Sequence, residues 1–270
     1  MQTILRSGFG LSLTKSYFET LKPNYIKNLL KEKGFILVKG FNLSREECLN
    51  LSRQYGTFEE YIDEKKQHKF SGHKYIFDVD GSQNRNAFRG RGELPIHTDG
   101  GLLKKKIDLI FLYANEIEKM KFQGGTGIID HKRAIQELPL HLRRVLEEER
   151  FETLGLEEPY YSNASSDDWL HIPVFQELGW VRKMSLYFNY AEEKEASWKT
   201  RIVGYKDHET KKFFEQLIQF FKNPRYCFLH FWNKGDLIIM DNRRVVHYRE
   251  PFDDTGKRVI FRLQVFYESN

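Results

Sequence analysis

Two periodicities run through this chain, and the points where one gives way to the other outline its elements. From Tyr25 to Lys33 the apolar residues Ile26, Leu29 and Leu30 recur at helical spacing, and Gly34 offers a C-terminal cap that needs no Cβ. The apolar run from Phe35 to Phe41 predicts a buried strand. Ser44 and Glu47 form a capping box, each side chain satisfying the other's backbone amide, and predict a helix ending near Gly56. The stretch from Asp78 to Gly92 is polar and rich in Gly and Arg, the composition of a long loop. Ile107 to Ala114 predicts a further strand, and Asp130 is placed to cap a helix through Ile135, Leu138, Leu142 and Leu146 to about Glu149. Between 151 and 205 the pattern breaks into short strand-like runs and a polar loop, Ser162 to Asp168. Thr210 to Lys222 predicts an amphipathic helix with Phe213, Phe214, Leu217, Ile218 and Phe221 on one side.

The last forty residues read as two strands around a turn. The first, Asp236 to Met240, is largely apolar. The second, Arg258 to Phe266, alternates, with Val259, Phe261, Leu263 and Val265 on one face and Arg258, Ile260, Arg262 and Gln264 on the other. Two arginines on one face of a strand that otherwise meets a core are costly unless something anionic meets them.

Composition narrows the class. With 270 residues, 40% hydrophobic and 30% charged, the chain is expected to form one globular domain over residues 1–270 with a sizeable core. Lys+Arg 43 against Asp+Glu 38 gives +5, and no basic run exceeds Lys104-Lys105-Lys106, so nucleic acid is not an expected partner. Aromatic residues at 15% suit a sheet-rich interior or a ring-lined pocket. Cys48 and Cys227 lie far apart, which speaks against a disulfide framework or structural zinc and for a reducing compartment. No window is long and apolar enough to span a bilayer, and Ser7, Gly8, Gly10, Ser12 and Thr14 interrupt any signal-peptide core. The expectation is a cytoplasmic protein with no membrane partner.

Of nine histidines, only His97 is followed two residues later by a carboxylate, in His97-Thr98-Asp99. Residues i and i+2 of an extended segment project to one side, so both could hold one metal ion. The best third ligand is His247, beyond the apolar strand and turn that end at Asp241 to Val246. Two histidines and one carboxylate leave three coordination positions open, the donor set of non-haem Fe(II) oxygenases. A lone His-x-Asp equally describes a surface turn, but this one has company. Arg258 and Arg262 follow His247 by 11 and 15 residues, and Gly124-Gly125-Thr126-Gly127 brings a hydroxyl beside a flexible turn.

Taken together, these segments resemble the taurine dioxygenase-like family of Fe(II)- and 2-oxoglutarate-dependent oxygenases. The resemblance rests on Gly34 to Phe41, Leu94 to Asp99, Gly124-Gly125-Thr126 and Gly235 to Arg243, followed by His247, Arg258 and Arg262, in matching order and spacing. It implies a mainly β fold with flanking helices, the double-stranded β-helix or clavaminate synthase-like jelly roll. His97, Asp99 and His247 would hold Fe(II) near one mouth of the roll. Thr126 and Arg258, deeper inside, would bind the far carboxylate of 2-oxoglutarate, with Arg262 as a second cosubstrate contact or a substrate contact. The family couples O2 and loss of carbon dioxide from 2-oxoglutarate to oxidation of a C–H bond. Halogenating relatives lack the carboxylate present here as Asp99, so hydroxylation, desaturation or oxidative cleavage is expected.

The implied substrate is a small molecule, an amino acid or an intermediate of specialised metabolism. The alternatives are desaturation or oxidative decarboxylation as in an isonitrile-forming branch, and a jelly roll that binds without catalysis. The loop from Ser82 to Arg91, with Arg85, Phe88 and Arg89, reads either as a positively charged lid for an anionic or zwitterionic substrate or as a solvated loop. Lys104 to Lys106 reads as a solvated run and Trp232 as core. Tyr160, Tyr161, Tyr187 and Tyr190 suit pocket or packing equally, neither cysteine looks reactive, and His68, His73, His131 and His230 have no assignable partner.

Overall fold

The computed structural model describes residues 1–60, 73–81, 90–118, 124–156, 168–189, 197–253 and 256–267. Along the chain come strands β1 (Gln2–Thr3) and β2 (Leu11–Thr14), helices α1 (Lys15–Thr20) and α2 (Pro23–Lys33), β3 (Phe35–Lys39), and α3 (Arg45–Arg53). Next are β4 (Phe77–Val79), β5 (Leu94–His97), β6 (Leu109–Ile117), β7 (Thr126–Ile129), α4 (His131–Glu137) and α5 (Leu140–Glu148). Four short strands follow: β8 (Phe151–Gly155), β9 (Leu170–His171), β10 (Phe175–Glu177) and β11 (Arg182–Met184). The chain continues through β12 (Trp198–Ile202), α6 (Asp207–Phe221), β13 (Cys227–His230), β14 (Leu237–Asp241), β15 (Val246–Arg249) and β16 (Arg258–Val265).

A seven-stranded sheet, ordered β1-β2-β3-β14-β6-β16-β4, and a four-stranded sheet, ordered β13-β7-β15-β5, form the jelly-roll sandwich. Strand alternation decides what lies between them. In β3, Phe35 and Leu37 point inward to a cluster with Ile110, Leu112, Ile128, Ile238, Met240 and Ile260. The intervening Ile36 and Val38 point outward, against Ile26, Leu29 and Leu30 of α2 and Cys48 and Leu49 of α3. The outer face of the smaller sheet, with Ile96, Ile129, Val246 and Tyr248, is covered by α4, α5 and α6 through Ala134, Leu142, Phe214, Leu217 and Phe221. Both cysteines are buried, and burial pushes their thiols up, Cys48 to about 12 and Cys227 to about 11. No helix among the described residues is long and apolar enough to cross a membrane.

The capping box of α3 forms as expected, Glu47 N–H donating to Ser44 Oγ at 3.3 Å and Ser44 N–H to Glu47 Oε2 at 2.7 Å. Two expectations are corrected. The helix anticipated from Asp130 to about Glu149 is two helices, because Leu138 takes an extended conformation (φ −63, ψ 136) ahead of Pro139, as steric clash with a following proline favours. The C-terminal forty residues hold three strands, β15 being inserted between the two anticipated.

Candidate metal centre and anion pocket

The unanticipated strand is the one that builds the site. His97, the last residue of β5, and His247 of β15 are paired across the ladder, and their ring centroids lie 4.3 Å apart. Asp99 lies beyond the end of β5 in a turn, so strand alternation does not aim it. Asn242, between β14 and β15, fixes it instead: Asp99 N–H donates to Asn242 Oδ1 at 3.0 Å, and Asn242 Nδ2 donates to the Asp99 carbonyl at 3.0 Å and the Ile107 carbonyl at 2.9 Å. His97 Nε2 then stands 3.6 Å from Asp99 Oδ1, and one ligand atom from each of His97, Asp99 and His247 falls within 4.8 Å of the others. All three side chains are buried.

Their protonation suits a metal. His97 Nδ1 lies 2.8 Å from the Pro95 carbonyl. A carbonyl only accepts, so Nδ1 is the nitrogen that donates, and Nε2 is the one turned toward Asp99. Burial, reinforced by the nearby His97, lowers His247 to about 3, so its imidazole is neutral at physiological pH. Burial alone would raise Asp99, but Arg262, whose Nη2 lies 2.6 Å from Asp99 Oδ2, and the two imidazoles hold the carboxyl well below the usual range. Two imidazoles and one carboxylate converging on one point fit a divalent ion such as Fe(II).

Alongside the trio is a cavity lined in part by Thr126, Arg249, Arg258 and Arg262. Arg258 is 2% exposed, and its Nε and Nη1 find no hydrogen-bond partner among the described residues. Burial, with Arg249 adding repulsion, drops it to about 9. A buried guanidinium in that condition is half of an ion pair, and its planar fork fits a carboxylate. Thr126 Oγ1 accepts from Trp232 Nε1 at 2.9 Å, which leaves the hydroxyl proton for a second partner. A dicarboxylate reaching from the metal trio to Thr126 and Arg258 fits these groups.

Arg249 was missed by reasoning from sequence, although it stands two residues after His247 on the same strand. It pairs in register with Thr126, and its Nη2 donates to the Gly92 carbonyl at 2.7 Å. Tyr187 packs beside the metal ligands rather than in the anion pocket: its hydroxyl accepts from Leu102 N–H at 3.1 Å and its ring lies 6.3 Å from that of His97. Trp232 is core, as expected, and also bonds Thr126. His230 is 3.0 Å from Asp236 Oδ2, and neither it nor His73 nor His131 joins the trio. Arg91 is committed to backbone, donating to the carbonyls of Gly81 and Asp253 at 2.9 Å each. Arg85, Phe88, Arg89, His68, Tyr160, Tyr161 and Tyr190 lie outside the described residues.

Residues 4–264 match the sequence model of the Taurine catabolism dioxygenase TauD, TfdA family. The chain belongs to that family. Members of the TauD, TfdA family act with Fe(II), 2-oxoglutarate and O2 on small molecules, and this chain is a 2-oxoglutarate-dependent dioxygenase of that kind. It is 21% identical over 252 residues to 3-((Z)-2-isocyanoethenyl)-1H-indole synthase of Fischerella ambigua, covering 93% of this chain and 88% of that protein. The PvcB protein of Pseudomonas aeruginosa shares its fold with a TM-score of 0.71 at 15% identity, over 96% of this chain and 87% of PvcB. Another PvcB structure, with a TM-score of 0.68 at the same identity and coverage, is described as an Fe, alpha-ketoglutarate dependent oxygenase from an isonitrile synthetic pathway. AAD-2 in complex with Mn(II) and N-oxalylglycine has a TM-score of 0.63 at 15% identity, over 92% and 88% of the two chains.

Proposed function

We propose that residues 1–270 work as one oxygenase domain that hydroxylates a C–H bond of a small anionic or zwitterionic molecule, an amino acid or an intermediate of specialised metabolism. The observation that carries the reading is the buried guanidinium of Arg258, whose Nε and Nη1 have no hydrogen-bond partner among the described residues, next to a His-Asp-His trio. His97, Asp99 and His247 would hold Fe(II). Thr126 and Arg258 would take the far carboxylate of 2-oxoglutarate. When bound, the metal and cosubstrate supply the oxidising power, reducing O2 as 2-oxoglutarate loses carbon dioxide.

The chain's own residues do the rest. Arg262 keeps Asp99 ionised and oriented, Asn242 fixes the backbone beneath it, and the Pro95 carbonyl sets the His97 tautomer. Inner-face residues such as Leu112 and Ile260 wall the cavity with hydrocarbon and exclude water from the reacting centre. The two separated, buried cysteines support a cytoplasmic location, and the mild net charge supports a protein without a nucleic-acid partner.

A second reading, desaturation or oxidative decarboxylation of an isonitrile-pathway intermediate, is favoured by the likeness to the isocyanoethenyl-indole synthase over 93% of the chain. One experiment tests both. The chain is supplied with Fe(II), 2-oxoglutarate, O2 and a panel of amino acids and their isocyano derivatives, and succinate and products are scored by mass spectrometry. Gain of one oxygen atom supports hydroxylation, and loss of two hydrogens or of carbon dioxide supports the second reading. Failure to bind iron and form succinate overturns both.

A further inference from the structure

A second cavity, of about 520 Å3, opens beside the turn that carries Asp99 and shares no lining residue with the anion pocket. Its size is that of a small-molecule site. Gly100 and Gly101 are among its lining residues. Gly100 has φ +96, and a Cβ there would meet the Lys105 carbonyl at 2.3 Å, so the turn closes only around glycine. Lys105 N–H donates back to the Gly100 carbonyl at 2.9 Å, and Lys104 within that turn, at φ 53, is the one described non-glycine residue held in the left-handed region.

The cavity combines cationic and apolar lining residues. Lys183 lines it and is 8% exposed, yet its amine makes no hydrogen bond or ion pair with a described residue. Asp108 is the acid among the lining residues, but that carboxylate is engaged by Arg243 at 3.2 Å and by Tyr267 N–H at 2.8 Å. Asp99 and Asp241 also bear on Lys183, and each is paired, with Arg262 and Arg243 respectively. Lys104 and Lys106 stand at the rim without an ion pair among the described residues. The lining also includes Ile172, Pro173, Leu178 and Trp180, with Leu178 39% and Trp180 42% exposed. Buried ammonium groups are rarely left alone, and the Trp180 ring, with Arg243 4.9 Å and Lys31 5.9 Å from its centroid, adds a partly exposed aromatic surface to the same cavity.

We propose that this cavity binds a small carboxylate with an apolar body, the carboxylate meeting Lys183 and the body lying against Trp180 and Leu178. The site adds to the oxygenase reading and does not depend on it. An unpaired buried amine in a cavity that also offers apolar lining favours such a molecule over an inorganic anion, which would gain nothing from the indole.

The probe is 4-fluorophenylacetate, titrated by fluorine NMR against the full chain, with and without excess Fe(II) and 2-oxoglutarate under anaerobic conditions. Saturable binding is expected in both conditions and equally in Arg258→Met. It should weaken by about tenfold or more in Lys183→Met and recover in Lys183→Arg. The neutral 4-fluorophenylacetamide should bind the native chain about tenfold more weakly than the acid, which tests the amine without any substitution. Equal affinity for acid and amide, equal affinity in Lys183→Met, or displacement by 2-oxoglutarate would each overturn the proposal. A chain that failed to hold iron would sink the oxygenase reading and leave this result intact.

Discussion

Arg262 and Arg258 lie one above the other on the inner face of β16, equally buried, and meet opposite circumstances. Arg262 has its anion inside the chain, 2.6 Å away on Asp99. Arg258 has none among the described residues. The same residue type on one strand therefore suits two jobs. One guanidinium is a counter-ion to Asp99, the proposed metal ligand. The other keeps its desolvation cost outstanding, the condition of the binding group proposed for it.

The contrast can be broken most severely at Asp99. Asp99→Ala, or His97→Ala, should abolish turnover and lower bound iron towards zero by metal analysis, since it removes a donor outright. Retention of stoichiometric iron would show the trio is wrongly assigned. Arg258→Met should raise the KM for 2-oxoglutarate by about 10–100-fold while iron retention stays unchanged. The unliganded Tm should hold or rise, because an apolar side chain replaces an unpaired buried charge. An unchanged KM would move the cosubstrate role to Arg262.

Arg262→Met should instead lower iron affinity and turnover by about tenfold through a loosened Asp99, with less effect on 2-oxoglutarate, as titration of each ligand would reveal. A pH test asks whether either arginine governs acid stability. Burial lowers His131, which packs against the Arg243 carbonyl, to about 3. Between the unfolded value near 6.5 and that value, the unfolded chain binds a proton that the native chain does not, so stability falls as pH falls. The loss from pH 7 to 5 is about 2 kcal/mol from this residue, measured by urea midpoint, and both arginine variants should share it. Arg249→Met should give the smallest change, a KM for 2-oxoglutarate raised only about two- to fivefold, because Arg249 already bonds the Gly92 carbonyl and adds long-range charge.

Much of this was legible in the alternation of β16, where parity of position alone separates Phe261 and Leu263 from Arg258 and Arg262. The capping box at Ser44 and the core face of α6 are local patterns and form as read. What escaped depends on partners distant in sequence. The strand β15 is four residues long, and its Val-His-Tyr-Arg run carries no periodicity a short window can register. It is a strand because β5 and β7 flank it. Asn242 looked like turn material, and only the fold shows its amide gripping the Asp99 and Ile107 backbones. Lys183 gave no signal at all, since burial of a single lysine is a property of packing.

The cross-strand pairing of His97 with His247 has one further consequence. Their separation is set by backbone ladders on both sides of β15, that is, by main-chain pairing with β5 and β7. Such a socket is already cut to shape when the metal arrives, so little ordering is demanded of the chain on loading.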